Sequence, residues 1–267
     1  MTVAATTQKP PSLFASTTVI AKRTWLKFIR TPQLVVVGTV QGAMFMLIFR
    51  YVFGGAIGSG NLSYVNFLVP GFITTGLIFG GMMSAAGIAE DHEQGFFDRL
   101  RSLPIPRSSV LAGRAVADTA TATWGTLIMT VIGFLVGFRL GGSVAAGLFA
   151  FVLLIVFAFV FEWIFITLGL YAGNAQAAQG MSLLLIPFVF VSSSFVPVES
   201  MPGWMQSVAQ HQPVTYMVDA VRTLTQGARA EALLGHDTTY YVARALLWSV
   251  VLVGVFAPIA VARYRKG

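Results

Sequence analysis

The sequence predicts an all-α polytopic membrane protein with six transmembrane helices, on three observations. Composition comes first: of 267 residues, 56% are hydrophobic and 10% charged, against roughly 25% charged in soluble domains, and the mean hydropathy is +0.77. Apolar runs are the second. Stretches at 33–53, 64–89, 116–138, 144–171, 177–197 and 243–263 each approach or exceed the ~20 residues that cross a hydrocarbon core of ~30 Å. The runs at 64–89 and 144–171 are long enough to tilt, and 116–138 is the least apolar. The third observation is the distribution of Lys and Arg.

An even number of crossings puts both termini on one side, and the basic residues choose it. Lys9, Lys22, Arg23, Lys27 and Arg30 precede the first span; Arg99, Arg101, Arg107 and Arg114 follow the second; Arg263, Arg265 and Lys266 close the chain. Arg50, Arg139, Arg222, Arg229 and Arg244 fall on the other side. By the positive-inside bias both termini of a multi-pass protein are expected in the cytoplasm. The net charge of +7 then reads as topology and contact with anionic headgroups of membrane lipids, not as nucleic-acid binding. With no Cys in the chain, a disulfide framework, a thiolate metal site and a cysteine nucleophile are excluded.

Residues 1–32 are expected as a cytoplasmic tail. Within it, LFASTTVIAKRTWLKFIRTP sets Leu13, Val19, Ile20, Trp25, Leu26 and Ile29 among basic residues. That pattern suits an amphipathic helix lying in the interface and ending near Pro32; a snorkelling juxtamembrane segment is the alternative. The run at 33–53 is too long for the apolar core of a secretory signal, and RYVFGGAIGSGNLS has no convincing small-x-small cleavage site, so it reads as a retained span. Residues 33–267 follow as a single transmembrane domain.

The one long charged run, EDHEQGFFDRLRSLPIPR at 90–107, follows the second span and so faces the cytoplasm. Glu90, Asp91 and Glu93 sit where a helix start favours negative charge, and Pro104 and Pro106 would end the helix. Between them Phe96, Phe97, Leu100 and Leu103 recur at i, i+1, i+4 and i+7 and make one apolar stripe. Such a helix could lie on the membrane, but surface helices usually carry a basic polar face. A stripe ringed by both signs of charge fits a groove on another protein better.

The segment EDHEQGFFDRLRSLPIPRSSVLAGR resembles the cytoplasmic segment of ABC-2 type export permeases, above all the daunorubicin-resistance type. A second stretch, SSSFVPVESMPGWMQSVAQHQPVTYMVDAVRTLTQG, resembles that family's block between its fifth and sixth spans, in the expected order and about 90 residues further on. The resemblance implies that the helix from about Asp91 to Leu103 is a coupling helix docking in a groove of a separate ATP-binding cassette subunit. It makes Glu90 the acidic residue near the end of the second span and Gly95 the glycine of the following turn. It also implies short re-entrant helices on the external side between spans five and six.

A chain hydrolysing ATP would need a G-x-x-x-x-G-K-[ST] loop, and no Gly-Lys dipeptide occurs. The chain is therefore expected to be a transport subunit without a cofactor of its own, with ATP and Mg on the partner ATPase. Six spans make half a pathway, so a second permease subunit, identical or a close paralogue, is expected as well. His92, His211 and His236 fall in predicted loops without metal-ligand spacing. Ser192, Ser193 and Ser194 have no intramembrane His or Lys near them in the predicted topology and read as polar lining or helix packing.

Within the second span Gly76, Gly80, Ser84 and Gly87 share a side suited to close helix packing. Phe72, Thr75, Phe79 and Met82 share another, roughly 115° away at 100° per residue, which with Phe188 and Ser192 is expected to line the substrate path. In the third span Thr119, Thr123, Thr126, Thr130, Gly133 and Gly137 form a stripe read as packing. Glu162 is the carboxylate well inside a span; an ionised side chain there costs about 2.5–3.5 kcal/mol, which the surrounding Leu, Ile, Val and Phe offset. An intramembrane charge of this kind is functional by default, or else a structural pair or a protonated acid. The reading is the permease of an exporter for a hydrophobic or amphiphilic substrate, a drug or lipid. A glycan or lipid-linked polymer exporter is the alternative within the family. An ATPase-independent channel or scaffold, or an intramembrane enzyme, is the alternative outside it.

Overall fold

Inside hydrocarbon a backbone amide finds no water, so a spanning segment must bond its own N–H and C=O groups, and every regular element of this chain is helical among the described residues. The structure is a computed structural model and describes residues 13–57, 62–101 and 107–266. Helix α1 is Leu13–Ile29 and α2 Pro32–Ile48, the latter opened by Pro32 in its first turn and extended by a π-helical turn, Phe49–Phe53. Then come α3, Tyr64–Glu93; α4, Phe96–Arg101; α5, Arg107–Val136; and α6, Val144–Tyr171. Ser143 caps α6 by accepting from the Ala146 N–H, and Asn174 caps α7, Ala175–Ser182, in the same way through Ala177. The remainder is α8, Ile186–Phe190; α9, Gly203–His211; α10, Pro213–Gln226; α11, Ala228–Leu234; and α12, Thr238–Lys266.

Among the described residues five helices are long and apolar enough to cross a membrane: Val36–Phe53, Tyr64–Glu93, Ser108–Val136, Val144–Tyr171 and Thr238–Lys266. The stretch at 177–197, expected as one span, is instead interrupted. α7 stops at Ser182, a 3-10 turn covers Leu183–Leu185, and α8 restarts with Pro187 in its first turn. Proline lacks the N–H that would continue the ladder and crowds the carbonyl four residues back, so the ladder breaks there. The charged run also differs from expectation. Its acidic residues complete α3, which runs unbroken to Glu93; Gly95, at φ +65°, reverses the chain, and α4 starts only at Phe96. Leu103 lies outside the described residues. His92 sits in the last turn of α3 and His211 at the end of α9, not in loops.

Helix α3 is the spine, packing against α5, α6, α7 and α10, while α12 lies along α6. Phe67, Leu68, Phe157, Phe165 and Met217 are the large side chains of its main core. At one end α4 packs beside the last turns of α12, with Phe97 and Tyr264 in edge contact at 5.5 Å. At the far end α10, buried from Val214 to Gln226, closes over the tips of α3, α5 and α6. There Gly141 N–H donates to Thr225 O at 2.9 Å, Gln226 Nε2 to Arg139 O at 3.0 Å and Arg139 N–H to Asn66 Oδ1 at 3.0 Å.

Small residues bring α3 against its neighbours, though not the stripe expected. A side chain at Gly76 or Gly80 would meet nothing within 4 Å, whereas Gly71 lies against the Ser194 backbone and Gly81 against the Phe165 ring. Of that stripe Gly87 abuts Arg114 and Ser84 is buried. A Cβ at Gly169 of α6 would come within 2.6 Å of Ala85 O, and one at Gly133 of α5 within 2.8 Å of Val69. The α5 stripe therefore packs in part as expected. Gly71→Ala and Gly169→Ala should each lower the unfolding free energy of the solubilised protein by about 1–3 kcal/mol, the usual cost of overpacking. Gly76→Ala should leave it unchanged, since the site is open; thermal denaturation compares the three.

Candidate functional site

The corner between α3 and α4 is built around Phe97, 3% exposed and enclosed by Ile88, Val110, Leu111, Trp163 and Tyr264. Phe96 and Leu100 flank it, half-buried, and the Arg23 guanidinium of α1 lies 3.9 Å over the Phe96 ring. The stripe thus has a seat within the chain itself. Glu90, Glu93 and Arg99 point outward. Asp91 does not: it is buried, and its carboxylate accepts from Arg114 Nη1 of α5 at 2.9 Å.

Arg114 reaches a second carboxylate. Its Nε donates to Asp118 Oδ2 at 2.6 Å, and Ser84 Oγ of α3 donates to the same oxygen at 2.5 Å. Glu162, 4% exposed on α6, adjoins Ser84 and acts electrostatically on both Asp118 and Arg114. The cluster therefore gathers three helices just behind the α3–α4 corner. The sequence singles out Glu162 as a charge within an apolar span but not this grouping, because the contacts between helices join residues 23 and 34 positions apart. Asp118, two residues inside the predicted third span, is the one signal the sequence offers.

At the far end Arg222, counted from the sequence among the basic residues of the non-cytoplasmic side, is fully buried. Its Nε and Nη2 each donate to Phe67 O at 3.1 Å, Nη2 also to Ser193 O at 2.6 Å, and Nη1 to the Asp219 carboxylate. The guanidinium lies 3.8 Å from the centre of the Phe67 ring. Ser193 Oγ donates to Asp219 at 2.7 Å. Burial pushes the Asp219 carboxyl up to about 6, against the downward pull of Arg222 and Ser193. Beside it a cavity of about 260 Å³ is bounded by Glu199, His211, Tyr216, His236 and Tyr240.

The residues assigned to a substrate path are only partly brought together. Phe79 and Phe188 are exposed, and Phe72 and Met82 are half-buried against the core. Thr75 and Ser192 do not face an open path within this chain. Both are buried, with the Thr75 hydroxyl donating to Gly71 O at 3.0 Å and Ser192 to Val189 O at 2.6 Å. In an apolar helix a hydroxyl satisfies itself on a carbonyl of the preceding turn, as Thr75 does. A separate groove of about 490 Å³ opens between α1, α5 and α6, lined by Trp25, Thr119, Thr123, Trp124, Leu127 and Phe151.

Residues 15–225 match the family described as ABC-2 type transporter. The chain belongs to that family. Over 84% of its length it is 30% identical to the daunorubicin resistance ABC transporter permease protein DrrB1 of Streptomyces coeruleorubidus, covering 76% of that protein. Over 82% it is 27% identical to the probable doxorubicin resistance permease DrrC of Mycobacterium tuberculosis, covering 80%. A probable multidrug permease of Escherichia coli, YbhR, is 26% identical over 61% of this chain and 45% of its own. The ABC-2 chain is thus the permease subunit of an exporter, a transport subunit and not a catalytic enzyme.

In this permease the Arg222 network is the best-enclosed polar assembly of the far end, and its energetics follow from burial. Removing one partner of a buried ion pair strands the other, at about 3–5 kcal/mol. Arg222→Ala should destabilise the solubilised permease by that order, measured by thermal or denaturant unfolding. A double Arg222→Met, Asp219→Leu variant should recover much of the loss, because no charge is left unpaired.

Proposed function

We propose that this chain crosses the membrane six times, with both termini in the cytoplasm of a bacterial cell, and forms half of an export path. A separate ATP-binding cassette subunit, holding ATP and Mg, drives it through the α3–α4 corner. The even count is supported by connectivity. α6 ends at the α4 end, where Arg263 of α12 lies 5.4 Å from the Tyr171 ring. Ser193 bonds Arg222 at the far end, so Ala175–Phe190 joins opposite ends despite its break. The basic residues of α1 and of the α12 terminus fall at the α4 end, in keeping with a cytoplasmic corner. α9–α11 then form the external cap.

The observation that carries the coupling role is the orientation of α4. Phe97 holds the helix against the body of the chain, while Glu90, Glu93 and Arg99 remain outward. An ATPase groove would meet that charged rim, with Phe96 and Leu100 at its edge, and Phe97 would transmit the push inward. The second permease subunit completes the path. A hydrophobic or amphiphilic substrate, drug or lipid, agrees with the drug-resistance names of the relatives and with the exposed rings of Phe79 and Phe188.

Topology is tested on this cysteine-free background by labelling Gln94→Cys and Ser207→Cys, both exposed. Gln94→Cys should react from the cytoplasm and Ser207→Cys from outside; labelling of both from one side would exclude six crossings.

Coupling is tested by recovery of the ATPase with purified permease. Phe97→Ala unseats α4, at about 3–5 kcal/mol for a buried ring, and should lower both ATPase recovery and transport while insertion persists. Glu93→Lys should leave the melting temperature alone and weaken ATPase binding, about tenfold for each ~1.4 kcal/mol by which it reduces the binding free energy. Undiminished recovery and normal transport in both variants would reduce α4 to an interfacial helix.

A further inference from the structure

Three carboxylates, Asp91, Asp118 and Glu162, share one guanidinium, Arg114, inside the bundle. Asp91 and Asp118 take its hydrogen bonds, whereas Glu162 Oε2 is buried with no hydrogen-bond partner among the described residues. An uncompensated buried carboxylate is costly enough that such groups ordinarily neutralise. The hydroxyl between them decides how. Ser84 has one hydrogen, committed to Asp118 at 2.5 Å, so toward Glu162 its oxygen is left as an acceptor. A carboxylate at Glu162 would face lone pairs; a carboxylic acid would donate into them.

We propose that Glu162 is a proton-binding site, occupied at neutral pH and linked through Ser84, Asp118 and Arg114 to Asp91 at the α3–α4 corner. The Glu162 acid donates to Ser84 Oγ, Ser84 donates to Asp118, and Arg114 bridges Asp118 to Asp91. If α4 draws Asp91 away, the Arg114–Asp91 bond breaks and the freed Nη1 turns to Glu162. Its proton then leaves to water, and the negative charge that Glu162 gains takes the place of Asp91 beside the guanidinium. The proton site stands whether or not α4 meets an ATPase; only its link to transport rests on the function proposed above.

Among the described residues, the other charged and titratable groups on elements packed against α6 lie at the two ends of the bundle, including His92 of α3 in edge contact with Phe97, and Arg265 and Lys266 in the last turn of α12. α7 carries no titratable side chain. On α10, Asp219 and Arg222 bond each other at the far end, as part of the Phe67 and Ser193 network. Tyr240, Tyr241 and Arg244 of α12 also sit at that end, beside Tyr216 of α10. At the other end of α12, Arg263 lies over Tyr171 and Tyr264 against Phe97. Tyr64 of α3 bonds Phe195 O at the far end, and Glu90 and Glu93 are exposed at the corner.

Infrared spectroscopy of the full chain in lipid films tests the site without substrate or ATPase. A carbonyl band of a protonated carboxylic acid should be present at pH 7 in wild type and absent in Glu162→Gln. In Asp91→Asn, which frees Arg114, the band should disappear at a proton concentration at least about tenfold higher than in wild type, since a cation brought to a carboxyl shifts its titration by one to three powers of ten. Should Glu162→Gln fail to accumulate, Ser84→Ala serves instead, because loss of the acceptor must shift the same band. Absence of a Glu162 band at pH 7, or an Asp91→Asn titration identical to wild type, overturns the proposal. Stabilisation of wild type but not Glu162→Gln by sodium or potassium would overturn it in favour of a metal-cation site.

Discussion

Charge inside an apolar bundle must be compensated by the bundle, and two arginines set the terms on which this chain folds. Arg222 at the far end and Arg114 behind the corner are each held against α3. Arg222 gathers two backbone carbonyls and a carboxylate, binding α10 and the Ser193 segment to the start of α3. Arg114 gathers two carboxylates and ties α5 to the end of α3. The rest of the architecture follows from having α3 fixed at both ends: α6 packs along it through Gly81 and Gly169, and α12 packs on α6.

The two arginines differ in how completely they are matched. Arg222 meets one carboxylate, two carbonyl oxygens and a ring face, with no acidic surplus among its hydrogen-bond partners. That suits a clamp, because any displacement strands a buried charge. The Arg114 cluster has more acids than its guanidinium bonds, so more than one pairing has a reasonable energy. A surplus of acceptors around one donor is what a two-state element requires, and the packed helices around it favour discrete arrangements over gradual ones.

Much of the fold was legible in sequence, for a physical reason: length and hydropathy decide a span with little help from tertiary context. The five long helices and the helical turn rich in Phe after α3 all follow from such local rules. The interrupted run at 177–197 was legible only in part, since its apolar content is plain but says nothing of the break that Pro187 imposes on its continuity. The polar sites were less accessible. Asp91 looked like a helix-start charge because nothing in the sequence says that α5 brings Arg114 to it. Arg222 reads from the sequence only as a basic residue of the external side, because nothing local says that α10, amphipathic in composition, is buried throughout. Gly76 and Gly80 matched a packing motif but face open space, while Gly71 and Gly81, on another side of the helix, make the contacts. Helix register relative to neighbours is a tertiary quantity, and single-helix periodicity does not contain it.

If the corner couples to an ATPase as proposed above, its geometry lets a small motion there act deeper in the bundle. On that coupling Gly95, at φ +65°, is the joint about which α4 would pivot without unwinding the last turn of α3. The Arg114–Asp91 bond is 2.9 Å long, and beyond about 3.5 Å such a contact ceases to act as a hydrogen bond. A shift of well under 1 Å on that scale therefore separates a paired Asp91 from an unpaired one, while Phe97, lodged against Tyr264, keeps α4 attached to the body. The pivot, the anchor and the short charged bond stand within seven residues of one another, Asp91 to Phe97. On the coupling proposed above, a push on the exposed rim of α4 would first change the charge pairing at Asp91, and through it how α3, α5 and α6 meet.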